Sequence, residues 1–282
     1  MPRVLVTGIT GFAGSHLAEL LVSRGDEVHG LAHERPPFAN LASVRDRVRI
    51  HEGDITRLDD VQGALAGTRP DAVVHLAGMA VPTMAAADPI AAVGINVLGT
   101  ATLLTALEQH PRTRVVLASS ADVYGAPDRV PVDEDAPLRP ANVYAATKVA
   151  AEALTRELAT RHAAPVVILR PANQNGPRQH PGLAASAFAK QIAEAEAGLA
   201  EPVVKHGRLD AERDFVDVRD MARAYAQRVK ESGQEAVLDA LQSYERRIIH
   251  NSLADDPDVF TYSEGEEPDR RVVISPRDAE PA

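Results

Sequence analysis

Short runs of β-branched and other apolar residues alternate, over the first 170 positions, with longer stretches rich in Ala and Leu. The runs fall at 4–7, 27–31, 48–50, 72–76, 114–118 and 166–170. Most are continuously apolar, the pattern of strands covered on both faces rather than on one. Between them, 15–24, 58–66, 91–109 and 144–162 read as helices. Strand and helix in strict alternation predict an α/β fold on a doubly wound parallel sheet. Its ligand crevice should lie beyond the carboxyl ends of the strands.

From about residue 171 the rhythm changes. Asn173-Gln174-Asn175-Gly176-Pro177-Arg178 is turn-rich, 184–198 reads as a helix, 203–205 and 214–218 as short strands, and 219–231 as a further helix. The expected organisation is a core over 1–170, a small shortened lobe over 171–250 interleaved with it, and a divergent acidic tail over 251–282. Little period is visible in the last 40 residues beyond a short strand at 272–274.

Composition narrows the function classes. The 282 residues carry 30 Lys and Arg against 40 Asp and Glu, for a net charge of −10, and 45% are hydrophobic, enough to build a core. Residues 251–282 hold nine acids and three bases, so this short segment supplies −6 of that charge. An acidic balance argues against a nucleic-acid partner. With no Cys there is no disulfide framework, thiolate metal site or Cys nucleophile. The ten His show no ligand spacing, so no metal is expected. Ser120 lacks a Gly-x-Ser-x-Gly elbow, which leaves an acyl-transfer hydrolase unsupported. The chain enters a strand pattern at once, and no run nears the roughly 20 apolar residues of a membrane span. A cytoplasmic protein without a membrane partner is the expectation.

Gly8-Ile9-Thr10-Gly11-Phe12-Ala13-Gly14 follows the first strand and opens the first helix. Glycines so spaced allow a tight turn, close approach to a pyrophosphate and helix-on-strand packing. The helix N-terminus then presents free N–H groups and a partial positive charge to phosphates. The segment is a candidate dinucleotide site. The second strand ends Leu31-Ala32-His33-Glu34-Arg35, where an NAD enzyme usually carries an acid. Ala32 holds that position while His33 and Arg35 suit a 2′-phosphate, which favours NADP, with NAD through Glu34 as the alternative. Asp54, beside Ile55, is placed to meet the adenine amino group.

Tyr144-Ala145-Ala146-Thr147-Lys148 puts a phenol and an ammonium on one helix face. A nearby ammonium lowers a phenol's pKa and fits it for proton exchange with a hydroxyl or carbonyl. Ser119-Ser120 ends the fifth strand at the crevice, where a hydroxyl can hold the same oxygen. The chain thereby resembles the extended short-chain dehydrogenase/reductases, a family of nucleotide-sugar epimerases, dehydratases and reductases. The resemblance rests on Thr7-Gly8-x-x-Gly11-x-x-Gly14, His75-Leu76-Ala77, Asn96-Val97-x-Gly99-Thr100, Ser119-Ser120-Ala121-Asp122-Val123-Tyr124-Gly125, Tyr144-x-x-x-Lys148, Arg170-Pro171-Ala172-Asn173 and Arg213-Asp214-Phe215, collinear over about 3–230. The stretch from Ala187 to Phe215 looks most like GDP-4-keto-6-deoxymannose reductases.

The resemblance implies a Rossmann-type core and roles for single residues. Tyr144 would be the acid/base, Lys148 would bind the nicotinamide ribose and lower the Tyr144 pKa, and Ser120 would hold the reacting C4 oxygen. Leu76, Ala77 and Gly78 would line the cofactor. Asn173, Lys190 and Arg213 would meet the substrate's sugar, nucleotide and diphosphate. Asp122 matches the base of 4,6-dehydratases, whereas Ala121 stands where some of them carry an acid. Reduction of a 4-keto-6-deoxy sugar nucleotide therefore ranks first, a dehydratase or epimerase second, and a non-catalytic dinucleotide sensor third. The resemblance also implies a homodimer through the helices at 91–109 and 144–162. Relatives continue past 231 with a strand and nucleotide-closing helices that this sequence does not repeat.

Overall fold

The computed structural model describes residues 1–160, 163, 165–207, 214–217, 219–220, 236–238, 259–264 and 271–276. Six parallel strands form the main sheet: β1 (Arg3–Thr7), β2 (Glu27–Ala32), β3 (Val48–Glu52), β4 (Ala72–His75), β5 (Arg114–Ala118) and β6 (Val166–Leu169). Their order is β3-β2-β1-β4-β5-β6, which reverses direction between β1 and β4. This is the doubly wound arrangement expected from the alternating pattern. The crevice at the reversal opens beside Gly8 and Ala77, just beyond the paired residues Thr7 and His75.

Successive residues of a strand point to opposite faces, and both faces here are covered. Val4 and Val6 join Leu17 and Leu21 of α1 (Phe12–Ser23) in one core cluster, with Val28, Val74 and Val116. Leu5 points the other way, into a cluster with Val61 and Leu65 of α2 (Leu58–Thr68). Leu103 and Leu107 of α5 (Gly99–Leu107) and Leu158 of α6 (Val143–Ala159) complete that side. Leu5 is fully buried, so Leu5→Ala would cost about 2–5 kcal/mol.

Before α5 come α3 (Pro82–Ala87), α4 (Pro89–Val93) and a π-helical turn, Gly94–Leu98. Pro82 and Pro89 each open a helix, where a missing N–H costs nothing. The run Pro89–Leu107 spans 19 residues and holds an 18-residue window of mean hydropathy 1.9, long and apolar enough by composition to cross a membrane. That corrects the expectation that no such run exists. Half of that window is buried in the fold, where Leu103, Leu104 and Leu107 cover the sheet.

Beyond β6, β7 (Asn173–Asn175) pairs in parallel with β8 (Phe215–Asp217), and α7 (Ala184–Glu196) follows β7 in sequence. The turn-rich reading of 173–175 is thus corrected to a short strand. The strand expected at 203–205 does not form. Gln191 on α7 instead bonds both backbone groups of Lys205, at 2.7 and 3.1 Å, in place of a ladder. The helix expected over 219–231 lies almost wholly outside the described residues.

The chain divides into two compact units, Met1–Val229 and Lys230–Ala282. The second holds an antiparallel sheet of order β10-β11-β9, with β9 (Ala236–Leu238), β10 (Val259–Glu264) and β11 (Arg271–Pro276). The short strand expected at 272–274 lies inside β11; β9 and β10 were not anticipated.

Candidate active site

Gly8, directly after β1, adopts φ +70°, a conformation that side chains other than Gly rarely take. A Cβ there would stand 2.8 Å from the Ala77 nitrogen. On Gly14 it would stand 2.3 Å from the Gly8 oxygen and 2.7 Å from the Ile9 Cα. The backbone thus lies too close for any side chain. Helix α1 begins at Phe12 without a side-chain cap on its first N–H groups. Such a cradle fits the pyrophosphate of a dinucleotide.

Around it, Gly53 N–H bonds the Ala32 carbonyl at 2.9 Å, which joins the ends of β2 and β3. Asp54 accepts from the backbone and hydroxyl of Thr56, both at 2.8 Å, and these bonds hold its carboxyl below the usual range. Ile55 is buried against the Cα of Gly99, where a Cβ would come within 2.9 Å. His33 is 82% exposed, 3.9 Å from the Asp54 carboxylate, and Arg35 is exposed two residues on. A Cβ on Gly78 would come within 2.9 Å of the Asn96 amide oxygen and 3.5 Å of Lys148 Nζ. Its absence leaves room beside the ammonium.

Asn142 caps α6 by accepting from the Ala145 N–H at 2.8 Å, which brings Tyr144 and Lys148 to the inner face of the helix. Lys148 is buried; its Nζ donates to the Ala118 carbonyl at 2.9 Å and lies 5.8 Å from the Tyr144 ring centroid. Burial pulls its pKa down to about 8. Ser120, two residues beyond the end of β5, stands beside the buried Tyr144 phenol. Burial pushes the phenol up to about 12; the nearby Ser120 hydroxyl opposes that rise and the Asp122 charge adds to it. The expected lowering by Lys148 is therefore corrected: desolvation of the phenolate governs, and the phenol stays protonated at neutral pH.

Ser120, Asp122, Tyr144 and Lys148 thus gather in one place. Asn173 is exposed and donates to the Asp214 carbonyl at 3.1 Å. Lys190 is exposed on α7, 3.7 Å from Glu194, an i,i+4 pair on the helix surface. Arg213 lies outside the described residues. Among those described, no group of three His, Asp or Glu side chains is placed to hold a metal.

Two further groups lie behind the site, on residues to which the motifs assign no role. Glu152, 1% exposed on α6, receives Arg170 through both oxygens at 2.9 and 2.7 Å, and the Ser119 hydroxyl at 2.5 Å. Arg170 also donates to Tyr124 Oη at 2.7 Å. This buried pair ties β5, β6 and α6 together. The second group is a polar line through His75, Asn96, Thr100 and Thr147, all buried. The signal for both was available: ionisable or amide residues inside apolar runs must find partners.

The chain matches the NAD dependent epimerase/dehydratase family over residues 4–238. Residues 216–276 also match the R3H domain. A GDP-6-deoxy-D-mannose reductase of Pseudomonas aeruginosa is 34% identical over 249 residues, which cover 87% of this chain and 76% of that protein. A UDP-glucose 4-epimerase of Azospirillum brasilense is also 34% identical, over 79% of this chain and 67% of its own. The crystal structure of a Thermus thermophilus UDP-glucose 4-epimerase with NAD superposes with a TM-score of 0.71 at 33% identity, over 82% of this chain and 75% of that one.

Proposed function

This chain belongs to the NAD dependent epimerase/dehydratase family, the extended short-chain dehydrogenase/reductases, and we propose that it reduces the C4 carbonyl of a nucleotide-linked 4-keto-6-deoxyhexose, with a GDP sugar favoured. The observation that carries this reading is the buried Tyr144 phenol beside Ser120, with the buried Lys148 Nζ 5.8 Å from its ring centroid. Reduction of a ketone adds a hydride to carbon and a proton to oxygen. The bound reduced nicotinamide would supply the hydride. Ser120 would hold the C4 oxygen, and Tyr144 would donate the proton to it. Lys148 would hold the nicotinamide ribose. The reductase relative from Pseudomonas supports this direction.

NADPH is our proposed donor, because Ala32 replaces the usual acid and His33 and Arg35 stand exposed just beyond it. The lobe after residue 170 would take the nucleotide sugar, through Asn173, Lys190 and Arg213. A homodimer is supported by apolar exposure on the outer side of the Pro89–Leu107 run, where Ile90, Val93 and Leu98 are 86%, 49% and 53% exposed. Exposed Ala146 and Ala153 on α6 offer small side chains for close helix approach.

A 4,6-dehydratase or 4-epimerase with tightly bound NAD is the second reading. Asp122, whose charge is felt at Tyr144, is its acidic candidate. Incubation with NADPH or NADH and a panel of GDP- and dTDP-4-keto-6-deoxy sugars tests the proposal. Oxidation of NADPH with a GDP-linked substrate supports it. Loss of water from the parent sugar nucleotide alone would establish the dehydratase instead. Arg35→Ala should raise the Kd for NADPH about tenfold, the effect of one charge-assisted bond, and leave that for NADH unchanged.

A further inference from the structure

His75 ends β4 fully buried, between two hydroxyls: Thr7 Oγ1 lies 2.7 Å from its Nδ1 and Thr100 Oγ1 lies 3.1 Å from its Nε2. The protons along this line can be placed one by one. The Thr100 hydroxyl is 2.6 Å from the Asn96 carbonyl, which has no proton to give, so Thr100 donates there. Thr100 then has only a lone pair for His75, and Nε2 must carry the hydrogen. In the neutral ring Nδ1 is consequently an acceptor and receives the Thr7 hydroxyl. Thr7 Oγ1 in turn accepts the Ala77 N–H at 3.2 Å, at the backbone that touches Gly8.

Beyond Thr100, Asn96 clasps Met79 by accepting its N–H at 2.7 Å and donating to its carbonyl at 3.2 Å. The same amide donates to Thr147 Oγ1 at 2.9 Å, and Thr147 donates to the Tyr144 carbonyl at 2.7 Å. Every hydroxyl proton on this line is committed. We propose that His75, fixed as its neutral Nε2–H tautomer, is a positioning residue that joins the glycine turn and Ala77 to the Tyr144 helix through Thr100, Asn96 and Thr147. A cation at His75 would stand near Lys148, and burial together with that charge pulls its pKa down to about 3. The ring therefore keeps its direction across the working pH range.

The tautomer is tested without any substrate, so this part stands even if the proposed activity does not. Ring-nitrogen NMR of histidine-labelled protein, with His75 assigned by loss of its signals in His75→Gln, should show a protonated Nε2 and bare Nδ1. The pattern should hold from pH 8 to pH 5. An Nδ1–H ring, or one that titrates in this range, overturns the proposal.

The positioning role rests on the proposed reduction and is read from Thr100→Val, Thr147→Val and the double variant. Breaking one line at two points should cost kcat once. Each single variant should lose up to about 100-fold, the double no more than the worse single, with KM for the sugar nucleotide little changed. Losses that multiply, or variants that lower only the melting temperature, overturn it.

Discussion

Ser119 and Ser120 are consecutive yet serve different walls of the site. Ser119 Oγ donates to the buried Glu152 carboxylate at 2.5 Å, whereas the Ser120 hydroxyl stands beside the Tyr144 phenol. The backbone turns between them as β5 gives way to the short helical turn Ala121–Tyr124, which Ser120 caps by accepting the Asp122 N–H at 3.2 Å.

Ser120→Ala should therefore lower kcat by about 100-fold or more, the usual effect of losing a positioned proton-exchange partner. Ser119→Ala leaves Glu152 held by Arg170 and should cost about 1 kcal/mol of stability with kcat nearly intact. Steady-state kinetics and urea unfolding of both variants check the division; equal kinetic losses would contradict it.

Lys148 makes a prediction about pH. Its folded pKa, about 8, lies below its ordinary value of 10.5. Between these values the unfolded chain keeps the proton that the folded chain has lost, so raising the pH in that window stabilises the fold. Tyr144 acts in the opposite sense only above its ordinary value of 10. From pH 8 to 9.5, at about 1.36 kcal/mol per unit, the native protein should gain about 2 kcal/mol relative to Lys148→Met. Urea unfolding of the two at both pH values reads this; a constant difference would contradict it.

The glycines divide into two kinds. Gly14→Ala drives a Cβ into backbone atoms of Gly8 and Ile9, so binding of NADPH, followed by its fluorescence, should be lost. Gly63, exposed within α2, has open space around it. Gly63→Ala should raise stability by about 1 kcal/mol and leave cofactor binding unchanged.

These sites differ in how far the sequence revealed them. The six parallel strands were legible because most are apolar on two faces and alternate with helices of period 3.6, a pattern independent of tertiary detail. The glycine turn and the set of Ser120, Tyr144 and Lys148 were legible because each lies at an element end or on one helix face. Strand β7 was not: Asn173-Gln174-Asn175 has turn composition, and only its pairing with Phe215–Asp217 makes it extended. Strand β10, Val259–Glu264, was hidden among acidic neighbours although its own residues are β-branched and aromatic. The direction of the Tyr144 shift was also invisible, because spacing shows that Lys148 is near but not how much water both groups lose. The partners of Glu152 and His75 come from other elements and needed three dimensions.

The central claim is that Tyr144 gives the proton that completes reduction at C4. NADPH oxidation with a GDP-4-keto-6-deoxyhexose, measured for the native protein and Tyr144→Phe alongside NADPH binding, tests it most directly. The expected result is a fall in kcat of about 100- to 10,000-fold with unchanged cofactor affinity. Turnover that survives in Tyr144→Phe at the native rate would contradict it.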